Sequence, residues 1–155
     1  EQSADSLVEG NVAVGVSWPI HNHMARRCTV RGNVCLHGEA MRLSFVNCDR
    51  FVLARNVFAC GGELITEPSY TGVARLEANV FHSGSGCVRW AFHDRLPSLE
   101  RNAAPVAALP AGAGSVIADP GCRCDDGRVS YGHRALARRL NLPAPDVSGA
   151  GCGRE

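Results

Sequence analysis

The chain has 155 residues, 45% of them hydrophobic and 20% charged, with a net charge of +1. That is enough for one domain with a buried core, and too balanced in charge for a polyanion-binding surface spread over the whole molecule. Neither nucleic acid nor a membrane is expected as a partner, no cofactor is expected, and all sixteen basic residues are Arg, which excludes a lysine base or Schiff base here.

Residues 1–6 are polar and carry neither a signal-peptide pattern nor an apolar span. A repeated phrase follows. Leu7 to Val14, Thr29 to Leu36, Val52 to Ala59 and Leu76 to Phe81 each contain an Asn-Val pair. The pairs begin at Asn11, Asn33, Asn56 and Asn79, in steps of 22, 23 and 23 residues. A period that regular marks stacked structural repeats. Within each unit, short β-branched and apolar runs are broken by Gly or Asn, so the pieces read as strands joined by tight bends. Stacking would gather the apolar side chains into one column and bring the four Asn residues into register at a corner, where Asn tolerates the left-handed conformation and bonds local backbone. A leucine-rich horseshoe has a similar period but needs leucines at fixed offsets. Val, Phe and Cys stand there instead, so the pattern predicts a parallel β-helix.

Between the first two units, Ser17 to Arg27 departs from the strand pattern and includes Trp18, His21 and His23. Loops on a rigid scaffold often carry binding residues. His21 and His23 could ligate a metal with Cys28 or His37, or His23 could act as an acid or base. The structural alternative is a solvated turn with a packed Trp18.

The third strand of each unit aligns Met41-Arg42-Leu43 with Leu64-Ile65-Thr66-Glu67 and Val88-Arg89-Trp90. Alternation turns Met41, Leu64 and Val88 inward and Arg42, Ile65 and Arg89 outward. Arg42 and Arg89, two coils apart, would be separated by about 10 Å, the span of roughly two sugar rings. They could grip carboxylates of an acidic polysaccharide, with Glu39, Glu63 or Glu67 nearby. The plain alternative is a solvated sheet face.

Residues 93–114 are rich in Ala, Pro and Gly and read as an irregular strap with at most a helical turn. Residues 115–118 suit one more strand. Arg134 to Leu140 forms the one predicted helix, placed over the last coil as a cap. The expected division is β-helix coils over 1–92, with the strap, last strand and C-terminal cap of the same domain over 93–155. Of the eight cysteines, Cys35, Cys48 and Cys60 suit buried column positions. Cys122, Cys124 and Cys152 lie in polar, Gly-rich surroundings and are the better disulfide candidates, in an oxidising compartment.

The stretch from Gly38 to Phe58 resembles coils of bacterial right-handed parallel β-helix proteins of the pectate-lyase-like group. Residues 114–150 are similar to the segment that closes many of them, with His133-Arg134-Ala135 where those relatives carry Ser-Pro-Ala. The resemblance implies an all-β, right-handed parallel β-helix of about four coils, secreted or at the cell surface, acting on an extracellular polysaccharide as a lyase or glycosidase. It also implies that N-terminal coils of the same protein precede this stretch, since an uncovered coil presents apolar surface and free strand edges. Under that reading His23, Glu67 and Arg42 are candidate catalytic residues, while Trp18, His21, Glu39 and Arg89 are candidate substrate-binding residues, with no metal set assigned. The alternative is a non-catalytic β-helix surface or carbohydrate-binding module.

Overall fold

The structure, a computed structural model, describes residues 4–68, 73–90 and 112–148. Three strands make the first turn: β1 (Leu7–Glu9), β2 (Val12–Val14) and β3 (Ile20–His23). The next turns repeat the triplet as β4 (Thr29–Arg31), β5 (Val34–His37) and β6 (Met41–Val46), then β7 (Phe51–Ala54), β8 (Val57–Cys60) and β9 (Leu64–Pro68), then β10 (Val73–Glu77), β11 (Val80–Ser83) and β12 (Val88–Trp90). Two short strands, β13 (Gly112–Ala113) and β14 (Val116–Ile117), extend the stack. Each strand pairs in parallel with its counterpart one turn on, giving a first sheet β1-β4-β7-β10-β13, a second β2-β5-β8-β11-β14 and a third β3-β6-β9-β12. The protein is a parallel β-solenoid, as the repeat predicts. The strap expected over 93–114 falls almost wholly outside the described residues.

The stacking register follows the sequence period. In the second sheet Ala13, Cys35, Phe58, Phe81 and Ile117 form one row, and Val12, Val34, Val57, Val80 and Val116 the next. The first row points into the column, where Cys35, Phe58 and Phe81 join Val30, Leu53 and Leu76 of the first sheet and Met41, Leu64 and Val88 of the third. Cys48 and Cys60 are buried there too, as expected. Phe45 and Phe51 stack at 4.3 Å, and each fully buried side chain of this size contributes about 1.5–3 kcal/mol.

The four asparagines form a continuous ladder. Asn33 Oδ1 accepts from the backbone N–H and side-chain amide of Asn11, both at 3.0 Å, and Asn56 Oδ1 does the same for Asn33. Asn79 Oδ1 takes the same pair from Asn56, and Ser115 Oγ ends the ladder by accepting from Asn79. The side-chain amides also satisfy carbonyls of the turn before, Val8, Val30 and Leu53. One expectation is corrected here. The left-handed conformation belongs to the residue before each Asn, Gly10, Gly32, Arg55 and Ala78, and to Gly114 before Ser115, all with φ between 51° and 73°. That residue makes the bend, which frees the Asn to point inward and bridge turns. A second corner is built on close approach: a Cβ on Gly61 would sit 2.2 Å from the Gly38 carbonyl oxygen, so the chain can pass there only as glycine.

The valine row would be left wet without a cover. The C-terminal segment supplies it with the antiparallel hairpin β15 (Cys122–Asp125) and β16 (Arg128–Tyr131), joined at Asp126 and Gly127, both with positive φ, the signature of a tight hairpin turn. Cys122, Cys124, Val129, Tyr131 and Leu142 pack with Val34 and Val57 into a second apolar layer. The helix α1 (Arg134–Leu140) forms where predicted and buries Leu140, but the apolar cover is lateral, over a side of the solenoid. The reason is the outward valine row: turning away from the column, it demands a roof along its length. The same packing corrects the reading of two cysteines. Cys122 and Cys124 are free thiols in an apolar layer, with burial pushing Cys122 up to about 12. Cys152 lies outside the described residues.

Candidate functional site

The outer face of the third sheet gathers most of the polar residues singled out from sequence. Its register pairs Met41 with Leu64 and Val88, and Arg42 with Ile65 and Arg89, the alignment expected from the repeat. Met41, Leu64 and Val88 are buried, while Arg42, Ile65 and Arg89 are partly exposed on the other side.

Trp18 precedes β3 and is 51% exposed. Its ring stacks on His21 at 5.5 Å with planes 21° apart, and the Arg42 guanidinium lies 5.4 Å from the ring centroid. The arrangement is held by the backbone: Arg42 N–H donates to the Ser17 carbonyl at 2.8 Å, tying the loop before β3 to β6. The result is an aromatic plate with one face toward a cation, a geometry worth roughly 0.5–2 kcal/mol depending on desolvation.

Two strands further along, Arg89 forms an ion pair with Glu63, and Cys87 Sγ donates to the same Oε1 at 3.1 Å. The Arg89 hydrogen bond, reinforced by Cys87, holds the Glu63 carboxyl below its usual range, and the nearby Arg42 charge acts in the same direction. In return Glu63 pushes the Cys87 thiol up. Glu63 is therefore a held carboxylate and Cys87 a neutral donor, a pairing that alternation alone did not reveal. The signal was present in the repeat: Glu63 and Cys87 each stand immediately before a third-sheet strand.

The proposed catalytic trio divides. His23 pairs across the sheet with Val46 and Arg42 with Ile65, whereas Glu67 shares its row with Ser44 and His21. The Glu67 side chain lies outside the described part. Ser44, between them, is only 2% exposed. Glu39 is exposed at the bend before β6, where its carbonyl accepts from Gly62 N–H at 3.0 Å. Of the substrate-binding candidates, Trp18 and His21 stack, Arg89 lies on the same sheet face and Glu39 is at the bend before β6, while Arg42, a catalytic candidate, lies over the Trp18 ring.

The metal alternative is not assembled. Cys28 is buried in the column, His37 belongs to the second sheet, and among the described residues no three His, Cys, Asp or Glu side chains come close enough to share an ion. Nor is any described helix long and apolar enough to cross a membrane.

These features define a class, a parallel β-solenoid repeat protein with an open, mixed aromatic and charged sheet face. Comparison with protein-family models, with curated proteins and with solved structures returns no match for this chain.

Proposed function

We propose that the outer face of the third sheet binds an acidic polysaccharide, in a carbohydrate-active β-solenoid akin to the secreted pectate-lyase-like proteins. The observation that carries this reading is the Trp18 ring, half exposed, stacked with His21 and within 5.4 Å of the Arg42 guanidinium, with Arg89 two strands away from Arg42. A sugar ring can lie on such a plate through its C–H face while the Arg42 guanidinium meets a carboxylate, and Arg89, about 10 Å away by strand spacing and paired with Glu63, would meet the next one only by sharing or exchanging that partner. Further coils stacked on β1–β3, whose turn leaves Leu7, Val14, Val16 and Met24 exposed, would lengthen the same face.

Binding is better supported than bond cleavage. Hydrolysis asks for two carboxylates about 5–10 Å apart, one of them protonated when needed, and Glu63 is neutralised by Arg89 with its carboxyl held low. The test is calorimetric titration with oligogalacturonides of increasing length, alongside neutral xylo-oligosaccharides, with product analysis on the same samples. Saturable binding of the acidic chains without cleavage is expected, weakened about tenfold by Trp18→Ala or Arg42→Gln, equivalent to about 1.4 kcal/mol. Equal affinity for the neutral chains, or wild-type affinity in Trp18→Ala, would refute the reading; turnover would move the assignment to an enzyme.

A further inference from the structure

The C-terminal cap carries a feature that covering the valine row does not explain. On one side α1 buries Leu140 and half-buries Leu136. Arg134 and Arg138, both exposed, stand four residues apart on the opposite side, so their side chains leave one helix face about 6 Å from each other. Both line a single open groove of about 480 Å³ between that face, β16 and the segment through Ala144. Val129, Tyr131, Ala137 and Ala144 make the rest of its wall mostly apolar. The Tyr131 hydroxyl donates to the Pro143 carbonyl, which fixes the ring in place.

The charge in this groove is unbalanced. Neither Arg134 nor Arg138 has an ion-pair partner among the described residues, and no Asp or Glu lines the groove. The acid two residues beyond Ala144, Asp146, is already engaged by Arg128 at 3.4 Å and by the backbone N–H and hydroxyl of Ser148. Nor does the helix gain from the arrangement. Arg138 and Arg139 suit the negative end of the helix dipole, but Arg134 stands at the positive end, with no first-turn acid to offset it and no side-chain cap. Like charges four residues apart add a further small repulsion. An anion held between the two guanidinium groups would remove both penalties.

We propose that Arg134 and Arg138 together bind the phosphate of a small phosphomonoester, whose apolar body lies against Val129, Tyr131 and Ala144. A carboxylate matches one guanidinium fork. A phosphomonoester carries a charge of about −1.5 to −2 at neutral pH and three acceptor oxygens, enough to engage two forks at once. The groove has the volume of an ordinary small-ligand site, and its apolar wall gives an attached ring something to cover.

The experiment is calorimetric titration of the full chain with phenyl phosphate, in low-salt buffer free of other phosphate. A single saturable site is expected, with a dissociation constant of about 1 mM, as the modest efficiency of so small a ligand predicts. Inorganic phosphate, without the ring, and phenylacetate, with the ring but one negative charge, should each bind about tenfold more weakly. Arg134→Gln and Arg138→Gln are exposed substitutions that keep a good helix former, and each should cost about tenfold. Arg139→Gln makes the same change in net charge on the same helix outside the groove, and should cost less than about twofold. With phenyl phosphate at ten times its dissociation constant, amide hydrogen exchange across Arg134–Leu140 should slow by about tenfold. Equal losses from Arg138→Gln and Arg139→Gln, equal binding of inorganic phosphate or phenylacetate, or unchanged exchange in α1 would each overturn the proposal. Its failure would leave the third-sheet reading standing, since that is read separately with oligogalacturonides through Trp18.

Discussion

The outer faces of the second and third sheets share a period and a scaffold, yet they have opposite fates. On the second, each turn sets a valine outward at the same place, and the C-terminal hairpin lies over the row, so Val34 and Val57 are as buried as the column. On the third, the corresponding outward places hold Arg42, Ile65 and Arg89, and Trp18 stands half exposed beside Arg42. A solenoid must bury its inner rows whatever it does. Its outer rows are free to be structural or functional, and the choice shows in whether another piece of chain covers them.

The largest test of that contrast places a charge on each face. Val57→Asp would bury an unpaired carboxylate beneath the hairpin and should cost more than about 4 kcal/mol, abolishing cooperative thermal unfolding. Ile65→Asp on the open face should stay within about 1 kcal/mol of the unmodified protein. Comparable losses from the two substitutions would remove the distinction. Next comes the ladder on which both faces rest. Asn56→Ala leaves Asn33 N–H and the Val30 carbonyl without partners and should cost about 3 kcal/mol in denaturant unfolding, against about 1 kcal/mol for the exposed Asn11→Ala.

A smaller effect separates roof from platform. Leu142→Ala thins the partly buried layer over Val57 and should lower stability by about 1–2 kcal/mol while leaving sugar affinity at Trp18 unchanged. On the inner side of the third sheet, Thr66 keeps a buried hydroxyl with no hydrogen-bond partner. Thr66→Val should therefore raise the unfolding free energy by about 1 kcal/mol. The weakest expected signal is in pH. Glu63 is held below its ordinary 4.5 by Arg89, so its contribution is present above that value and is lost as pH falls through the lower folded-state value. With both side chains about a third exposed, at 34% and 31%, solvent screening keeps it small. Glu63→Gln should flatten this part of the acid limb of a stability–pH curve; an unchanged limb would show that the pair contributes nothing measurable.

Much of the architecture was legible because repetition converts spacing into contact. Steps of 22 and 23 residues place Asn beside Asn, and from that one register Met41, Leu64 and Val88 fall inward together. The helix over Arg134–Leu140 was legible from its own short pattern. The site was legible in part. Arg42 and Arg89 could be assigned to one face by alternation, but the Trp18–His21–Arg42 stack depends on how an irregular loop returns to β3. The Glu63–Cys87–Arg89 cluster depends on side chains reaching between turns, which the period does not encode.

The sequence by itself determined the solenoid, its register and the identity of its inner rows, since these follow from a local pattern repeated at constant interval. Only the tertiary structure decided which outer row is roofed and which cysteines pack in apolar layers. Those outcomes come from the C-terminal segment folding back over residues about a hundred positions earlier, a long-range contact selected by shape and apolar area that carries no periodic mark in the chain.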